Sequence, residues 1–246
     1  MPQWPYGSQQ SPVQIETGNT IPVVYPIDYL VVDYPNEELP GYFNHTNHNF
    51  YFSNPPQIRF SGINAPLERV HIHSRSEHWL DEEDYDFEIH FVHPFPNPTD
   101  PTATTGDSTH VVLGVFFKEA ANAKTPRSIR ALNDALKAKL QPNAKRLADS
   151  ESSVTTAVNP VEFLPSNRSQ FFRYEGSLTI PDENGFFKER VSWVVYPHLI
   201  EVDPADVAEL KAHAHEGARP LQEINRRFLL RCAGSAETGI SFGRRL

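Results

Sequence analysis

The sequence predicts an α+β fold, mainly β, in a single domain spanning residues 1–246. Three observations predict it. The chain holds 22 Pro, 12 Gly and 11% aromatic residues, a balance that favours short strands and turns over long helices. Apolar runs of strand length, alternating or continuous, recur along it, whereas a helical period of 3.6 shows in only two stretches. Its 246 residues suit one large domain with a substantial core, and no internal repeat, low-complexity segment or linker divides them.

Residues 1–20, rich in Pro, Gln, Ser and Gly, read as an irregular N-terminal arm. Residues 21–34 (IPVVYPIDYLVVDY) contain two short β runs interrupted by Pro26, and residues 35–47 read as turn-rich. NFYF (49–52) and the alternating QIRFSGI (57–63) read as further strands, separated by a Pro-Pro turn. Residues 94–109 form a polar loop, and HVVLGVFFKEA (110–120) is apolar almost throughout, as in a strand buried on both faces. Thr125-Pro126 predicts a helix start, with Thr as N-cap and Pro at the first helical position. Ile129, Leu132, Leu136 and Leu140 then give its apolar face, and Pro142 ends it. A shorter helix starts at Asp203-Pro204 and runs through Val207 and Leu210 towards His213. SWVVYPHLIEV (192–202) and RRFLLRC (226–232) read as strands.

The stretch richest in chemistry is RVHIHSRSEHWLDEEDYDFEIHFVH, residues 69–93. His71 and His73 are spaced i, i+2, so on a strand they share a face. Phe87 to Val92 can form a neighbouring antiparallel strand that turns Glu88, His90 and Val92 to one side, with Asp81-Glu82-Glu83-Asp84 as the turn. Such a hairpin brings His71, His73 and His90 together, a set suited to a zinc site with three protein ligands and one open position. Two other readings stand beside it. An isolated strand histidine is ordinarily a surface or hydrogen-bonded residue, and His45, His78, His93, His110, His198, His213 and His215 are read that way. His71-x-His73-x3-Glu77 also fits the first metal motif of cupins, which would imply iron and oxygenase chemistry. Ala65 and Asp84 stand where that motif wants glycines, and its later P-x-G-x2-H-x3-N run is missing.

A formal net charge of -9 argues against nucleic acid or an anionic membrane surface as partner. Phosphate-cradling glycine motifs are lacking. The one cysteine, Cys232, permits no internal disulfide and reads as a small buried apolar residue. The N-terminus MPQWPYGSQQSPVQ lacks a basic segment followed by an apolar core, so no signal peptide is read. No run approaches the roughly 20 apolar residues of a membrane-spanning helix. A soluble protein is expected, either cytosolic or the mature form of a secreted or periplasmic one.

Several blocks, in order along most of the chain, resemble the α-class carbonic anhydrases. QSPVQIET (10–17) is similar to the family's N-terminal Q-S-P block, and NHTNHNFYF (44–52) to its N-x-G-H-x-F-x-V block. VHIH and FEIHFVH resemble the two zinc-ligand blocks, and VVLGVFF (111–117) the A-V-L-G-I/V-F strand. FRYEGSLTIP (172–181) is similar to Y-x-G-S-L-T-T-P, and VSWVVY (191–196) to the strand behind it. GARPLQEINRR (217–227) resembles the family's N-x-R-P-x-Q-P-L-N-x-R tail. The resemblance implies a central twisted, mostly antiparallel sheet of about ten strands with peripheral helices. It also implies zinc-dependent, reversible hydration of carbon dioxide to bicarbonate and a proton, by attack of zinc-bound hydroxide. A side activity on activated esters, and inhibition by sulfonamides and anions, go with it. A monomer or dimer is expected.

Carried over residue by residue, the resemblance makes His71, His73 and His90 the zinc ligands. Thr179 becomes the hydroxyl that orients the nucleophile, donating its own proton to Glu77. Glu88 accepts a hydrogen bond from His90 and fixes its tautomer. Val92, Val112, Leu178, Val191 and Trp193 match the apolar wall of the substrate pocket. His48 matches the proton shuttle, suited to it by an unperturbed pKa near 6.5, and Tyr6 the tyrosine that orders the water chain. The chain also departs from the pattern. Its N-terminal segment and the hairpin between His73 and His90 are shorter than usual. Ser74 replaces a tryptophan, Ile180 replaces a polar residue, and Asp182 to Arg190 form an insertion. Arg69 stands where a glutamine usually supports the first ligand, and a guanidinium cannot accept that ligand's N–H. These departures leave a second expectation open: a carbonic-anhydrase-like binding or structural subunit of weak or no activity.

Overall fold

The computed structural model describes residues 7–45, 48–95, 109–138, 153–182, 184–213 and 217–232. In chain order the strands are β1 (Gln14–Ile15), β2 (Ile21–Val23), β3 (Leu30–Asp33), β4 (Leu39–Asn44), β5 (Asn49–Phe52), β6 (Gln57–Phe60) and β7 (Ile63–Pro66). Then follow β8 (Arg69–Ser74), β9 (Trp79–Leu80), β10 (Phe87–Phe95), β11 (Thr109–Glu119), β12 (Ser153–Val158), β13 (Phe171–Gly176), β14 (Val191–Val202) and β15 (Leu230–Cys232). Two α-helices, α1 (Arg127–Ala138) and α2 (Pro204–His213), and 3-10 turns at Thr17–Asn19 and Pro160–Phe163 complete the described elements.

A ten-stranded sheet runs β12-β4-β5-β8-β10-β11-β14-β13-β15-β2. Only β11–β14 and β15–β2 pair in parallel within it, so the sheet is mixed and mostly antiparallel, as expected. A hairpin of β6 and β7 extends β3 into a separate three-stranded sheet.

Alternation along the central strands divides the interior into two cores. Phe87, Ile89 and Phe91 of β10, with Val111, Leu113, Val115 and Phe117 of β11, point to a large core that also takes Ile129, Leu132 and Leu136 of α1. The other face of the same strands presents Val92, Val112 and Phe116 to a smaller core with Val191, Trp193 and Val195 of β14. Every residue from Val111 to Phe117 is buried, because strand β11 is covered on both sides.

Some elements differ from the sequence reading, and tertiary contacts explain the difference. The turn-rich 35–47 contains β4, a full member of the large sheet between β12 and β5. Gly41 makes that pairing possible: a Cβ there would meet the Tyr51 carbonyl oxygen at 2.3 Å. QIRFSGI is not one strand but the start of a hairpin, with Ser61 (φ 49°) and Gly62 (φ 82°) both left-handed, as a tight two-residue turn needs. The C-terminal run is strand only over β15, because Arg227 spends its side chain on the carbonyls of Glu175, Glu223 and Ile224. From Ser11 onward the arm is anchored: Ser11, Val13 and Ile15 are fully buried.

Helix α1 begins as predicted, but its cap is not local. Thr125 Oγ1 accepts from Asp203 N at the start of α2, while Glu162 Oε2 accepts from Ser128 N. Asp203 Oδ1 accepts from Ala205 N and caps α2. Leu140 and Pro142, read as the end of α1, lie outside the described residues. Cys232 is buried, as expected.

His93, at the large-core face of β10, is neither exposed nor charged. Its Nδ1 donates to the Val111 carbonyl at 3.2 Å and its Nε2 accepts from Tyr34 Oη at 2.7 Å. Burial pushes its pKa down to about 3. The unfolded chain binds that proton near pH 6.5 and the folded one does not. His93 therefore costs no stability above pH 6.5, and destabilises progressively as pH falls from there towards 3. The slope is at most about 1.4 kcal/mol per pH unit for this group. Urea unfolding of His93→Gln against the parent should show a shallower loss of stability from pH 6.5 to 4; parallel curves would remove His93 from the acid response.

Candidate metal centre

Strand register assembles the site. On β8, Arg69, His71 and His73 alternate and so share one face of the sheet. On β10, Val92 stands opposite Arg69, His90 opposite His71, and Glu88 opposite His73. The rows continue across the sheet: Val92 faces Val112, which faces Trp193, and His90 faces Gly114. Two residues of sequence thus carry the surface from cation to imidazole to carboxylate.

The three imidazoles are neighbours. Ring centroids lie 4.4 Å apart for His71 and His73, and 4.5 Å apart for His73 and His90. All three rings line one cavity with Thr179 and Arg69, and its other walls are Val92, Val112, Leu178, Ile180 and Trp193. Val191, expected in that wall, packs behind it in the smaller core.

Hydrogen bonds select the tautomers. Glu88 Oε1 accepts from His90 Nε2 at 2.9 Å, which leaves His90 Nδ1 as the lone-pair nitrogen. Asn49 Oδ1 lies 2.6 Å from His71 Nδ1, and the amide's orientation is set by Nδ2 donating to Tyr51 Oη at 3.2 Å. His71 Nε2 is then the nitrogen that carries the ring's lone pair. Asn49, on β5 directly opposite His71, went unread in the sequence. It supplies the acceptor that Arg69 cannot, so the Arg69 departure leaves His71 oriented.

Two carboxylates lie among these rings, and Glu88 is engaged at both oxygens while Glu77 is engaged at one. Glu88 is fully buried and accepts from Glu77 N and His78 N, both at 2.9 Å, and from His78 Nδ1 at 2.8 Å, besides His90. Burial alone would raise its pKa; the two imidazoles and these donors outweigh it and hold the carboxyl well below the usual range. Glu77 Oε1 accepts from Arg219 N at 3.0 Å, and the Thr179 hydroxyl is close enough to pull the carboxyl's pKa down. Burial pushes Glu77 upwards, against the pull of His90, Thr179 and Arg219. Its second oxygen lies 3.3 Å from His73 Nε2 and 3.9 Å from His90 Nδ1.

Potential donor atoms of His73, Glu77 and His90 come within 4.8 Å of one another, as do those of His78, Glu88 and His90. The second group is spent, because Glu88 and His90 Nε2 satisfy each other. What remains is His73, His90 and the second oxygen of Glu77, with His71 beside them, and Asn49 and Glu88 fix the rings of His71 and His90 from behind. That donor set suits a borderline dication such as zinc.

The loop carrying Thr179 is tied to the N-terminal arm. Ser11 N donates to Ser177 Oγ at 2.9 Å and Ser177 N to Ser11 Oγ at 3.1 Å. Trp193 Nε1 donates to the Ser177 carbonyl at 3.0 Å. His78, read as an ordinary histidine, is fully buried and links this network to Glu88 through Tyr174 Oη, 2.6 Å from its Nε2. Its one sequence signal is position, directly after Glu77. His48 sits in a left-handed turn before β5, beside Phe43, and is not among the residues lining the cavity. Tyr6 lies outside the described residues.

Three comparisons place the chain among known proteins. The family model described as eukaryotic-type carbonic anhydrase matches residues 2–231. A carbonic anhydrase of Nostoc sp. is 28% identical over 225 residues, covering 91% of this chain and 76% of that protein. Dioscorin DB3L of Dioscorea polystachya is 29% identical over 174 residues, 68% of this chain and 53% of that protein. The α-carbonic anhydrase of Thermovibrio ammonificans, solved with the inhibitor sulfanilamide, superposes with a TM-score of 0.66 at 25% identity, covering 91% of this chain and 87% of that one. A ten-stranded sheet of this kind also disposes of the cupin reading.

Gly114 is a tight point of the site. A Cβ there would stand 2.8 Å from Glu88 Oε1, the oxygen that holds His90 and His78. Gly114→Ala should therefore cost about 1–3 kcal/mol of stability in urea unfolding, the usual penalty for overpacking. An unchanged midpoint would show that Glu88 can move aside freely.

Proposed function

Because the chain belongs to the eukaryotic-type carbonic anhydrase family, we propose that it interconverts carbon dioxide and bicarbonate at a zinc ion held by His71, His73 and His90. The observation carrying this reading is the shared cavity of three imidazoles, two with fixed tautomers, beside an apolar wall. A zinc ion held by neutral ligands would supply Lewis acidity, lowering the pKa of water from about 15.7 to about 7.

The chain's own residues do the rest. Asn49 and Glu88 keep the ring nitrogens aimed inward. Thr179 donates its proton to Glu77, so its oxygen is left to accept a hydrogen bond from the nucleophile, which fixes that group's orientation towards the substrate. Val92, Val112, Leu178 and Trp193 give apolar carbon dioxide a place without competing hydrogen bonds. His48 is proposed as the proton relay to buffer, with Tyr6 ordering water on the way.

The deciding experiment pairs zinc quantification with stopped-flow hydration of carbon dioxide. About one zinc per chain and a hydration rate abolished by an aromatic sulfonamide are expected. Stoichiometric zinc with only the background rate would refute the proposal. A second reading, a binding or structural subunit on this scaffold, draws support from the dioscorin relatives; protein that takes up no zinc would favour it.

Two variants separate the roles. Asn49→Ala should weaken zinc binding roughly 10–100-fold in a chelator competition, with the carboxylate variant Asn49→Asp retaining an acceptor and losing less. His48→Ala should lower the buffer-limited kcat by roughly 10–100-fold and be rescued by imidazole, with kcat/KM unmoved. Loss without rescue would exclude a relay role.

A further inference from the structure

Two departures from the family pattern, Arg69 and Ile180, line the cavity, and Arg69 is the charged one. It shares the face of His71 and His73, and it lines the same cavity. Its cross-strand neighbours on that face are apolar: Val92, then Val112, then Trp193. The side chain is 13% exposed, so the guanidinium is screened from most of the solvent. Among the described residues its hydrogen-bond partner is Glu68, whose Oε2 accepts from Nη1 at 2.7 Å. The Glu68 side chain is 43% exposed and so compensates weakly. A guanidinium presents five N–H donors in a planar fork suited to oxyanions, and Glu68 takes one.

His110, at the neighbouring edge of β11, is held down to about pKa 4 by burial first and then by Arg69 and Lys188. It is neutral at physiological pH and so adds no second cation beside Arg69. Ile180, at 40% exposed, adds a further apolar surface to the cavity.

We propose that Arg69 is a specificity residue of this cavity, binding the anionic oxygen group of an otherwise apolar ligand, of which an aromatic carboxylate is the simplest form. The inference rests on the reading of the cavity as the substrate site, and it deepens that reading: the site accepts neutral carbon dioxide but holds oxyanions, its bicarbonate product included, more firmly than a glutamine at this position would.

Two measurements test it. Calorimetric titration of zinc-loaded protein compares benzenesulfonamide with its 3- and 4-carboxylated forms. At least one carboxylated form should bind about tenfold tighter relative to the parent sulfonamide than it does to Arg69→Gln. Glu68→Gln should widen the gap, because it frees the guanidinium. Equal ratios, within twofold, in all three proteins would overturn the proposal. The second measurement needs no metal: benzoate is titrated into metal-free protein while the arginine Nε–H resonance that Arg69→Gln removes is followed. A saturable shift of that resonance is expected, and no shift at millimolar benzoate overturns the proposal. Failure of every sulfonamide to bind, with the benzoate shift present, would count against the carbonic anhydrase reading and leave Arg69 as an oxyanion site.

Discussion

The site hangs on one buried carboxylate. Glu88 has no exposed surface, and its two oxygens take four hydrogen bonds, from two backbone N–H groups and two imidazoles. An ionised carboxylate in such a place is tolerable only because every lone pair that matters has a donor. In return it sets three things together. It fixes the ring of His90, the ring of His78, and the path of the chain at Glu77, whose own carboxylate accepts from Arg219 N. Gly114 lies beneath it because a methyl group would not fit.

Around that group the two faces of the sheet divide the work. One face is plain core, aromatic and aliphatic, closed by α1. The other carries a smaller core whose edge is the cavity, so Val92, Val112 and Trp193 belong to the packing and to the cavity wall at once. The rigid background explains how short side chains on adjacent strands hold a small site without a surrounding cage of loops. The loop of Thr179 is the exception, and the arm around Ser11 clamps it through paired serine bonds.

How much of this was legible in the sequence follows from the range of the interactions. The i, i+2 histidines and the alternating run after them announce their shared face through local periodicity alone, and the register bears that out. The apolar run of β11 and the start of α2 are equally local. Asn49 is not: it matters because β5 pairs with β8, and pairing between distant strands leaves no mark on spacing. His78 looks like any other histidine until Tyr174, 96 positions later, is folded onto it. Thr125 was read as a local cap by residue type, yet its oxygen serves the neighbouring helix. In each case the backbone pattern was readable and the side-chain partner was not.

The central claim is that imidazoles hold the metal while both carboxylates stay behind them as positioning groups. Glu77 makes this a real question, since its second oxygen lies near His73 and His90. X-ray absorption at the zinc edge of the loaded protein answers it directly. The account predicts three imidazole nitrogens at about 2.0–2.1 Å and one exchangeable oxygen donor. Two imidazoles with a carboxylate, persisting in His71→Ala and lost in Glu77→Gln, would contradict it.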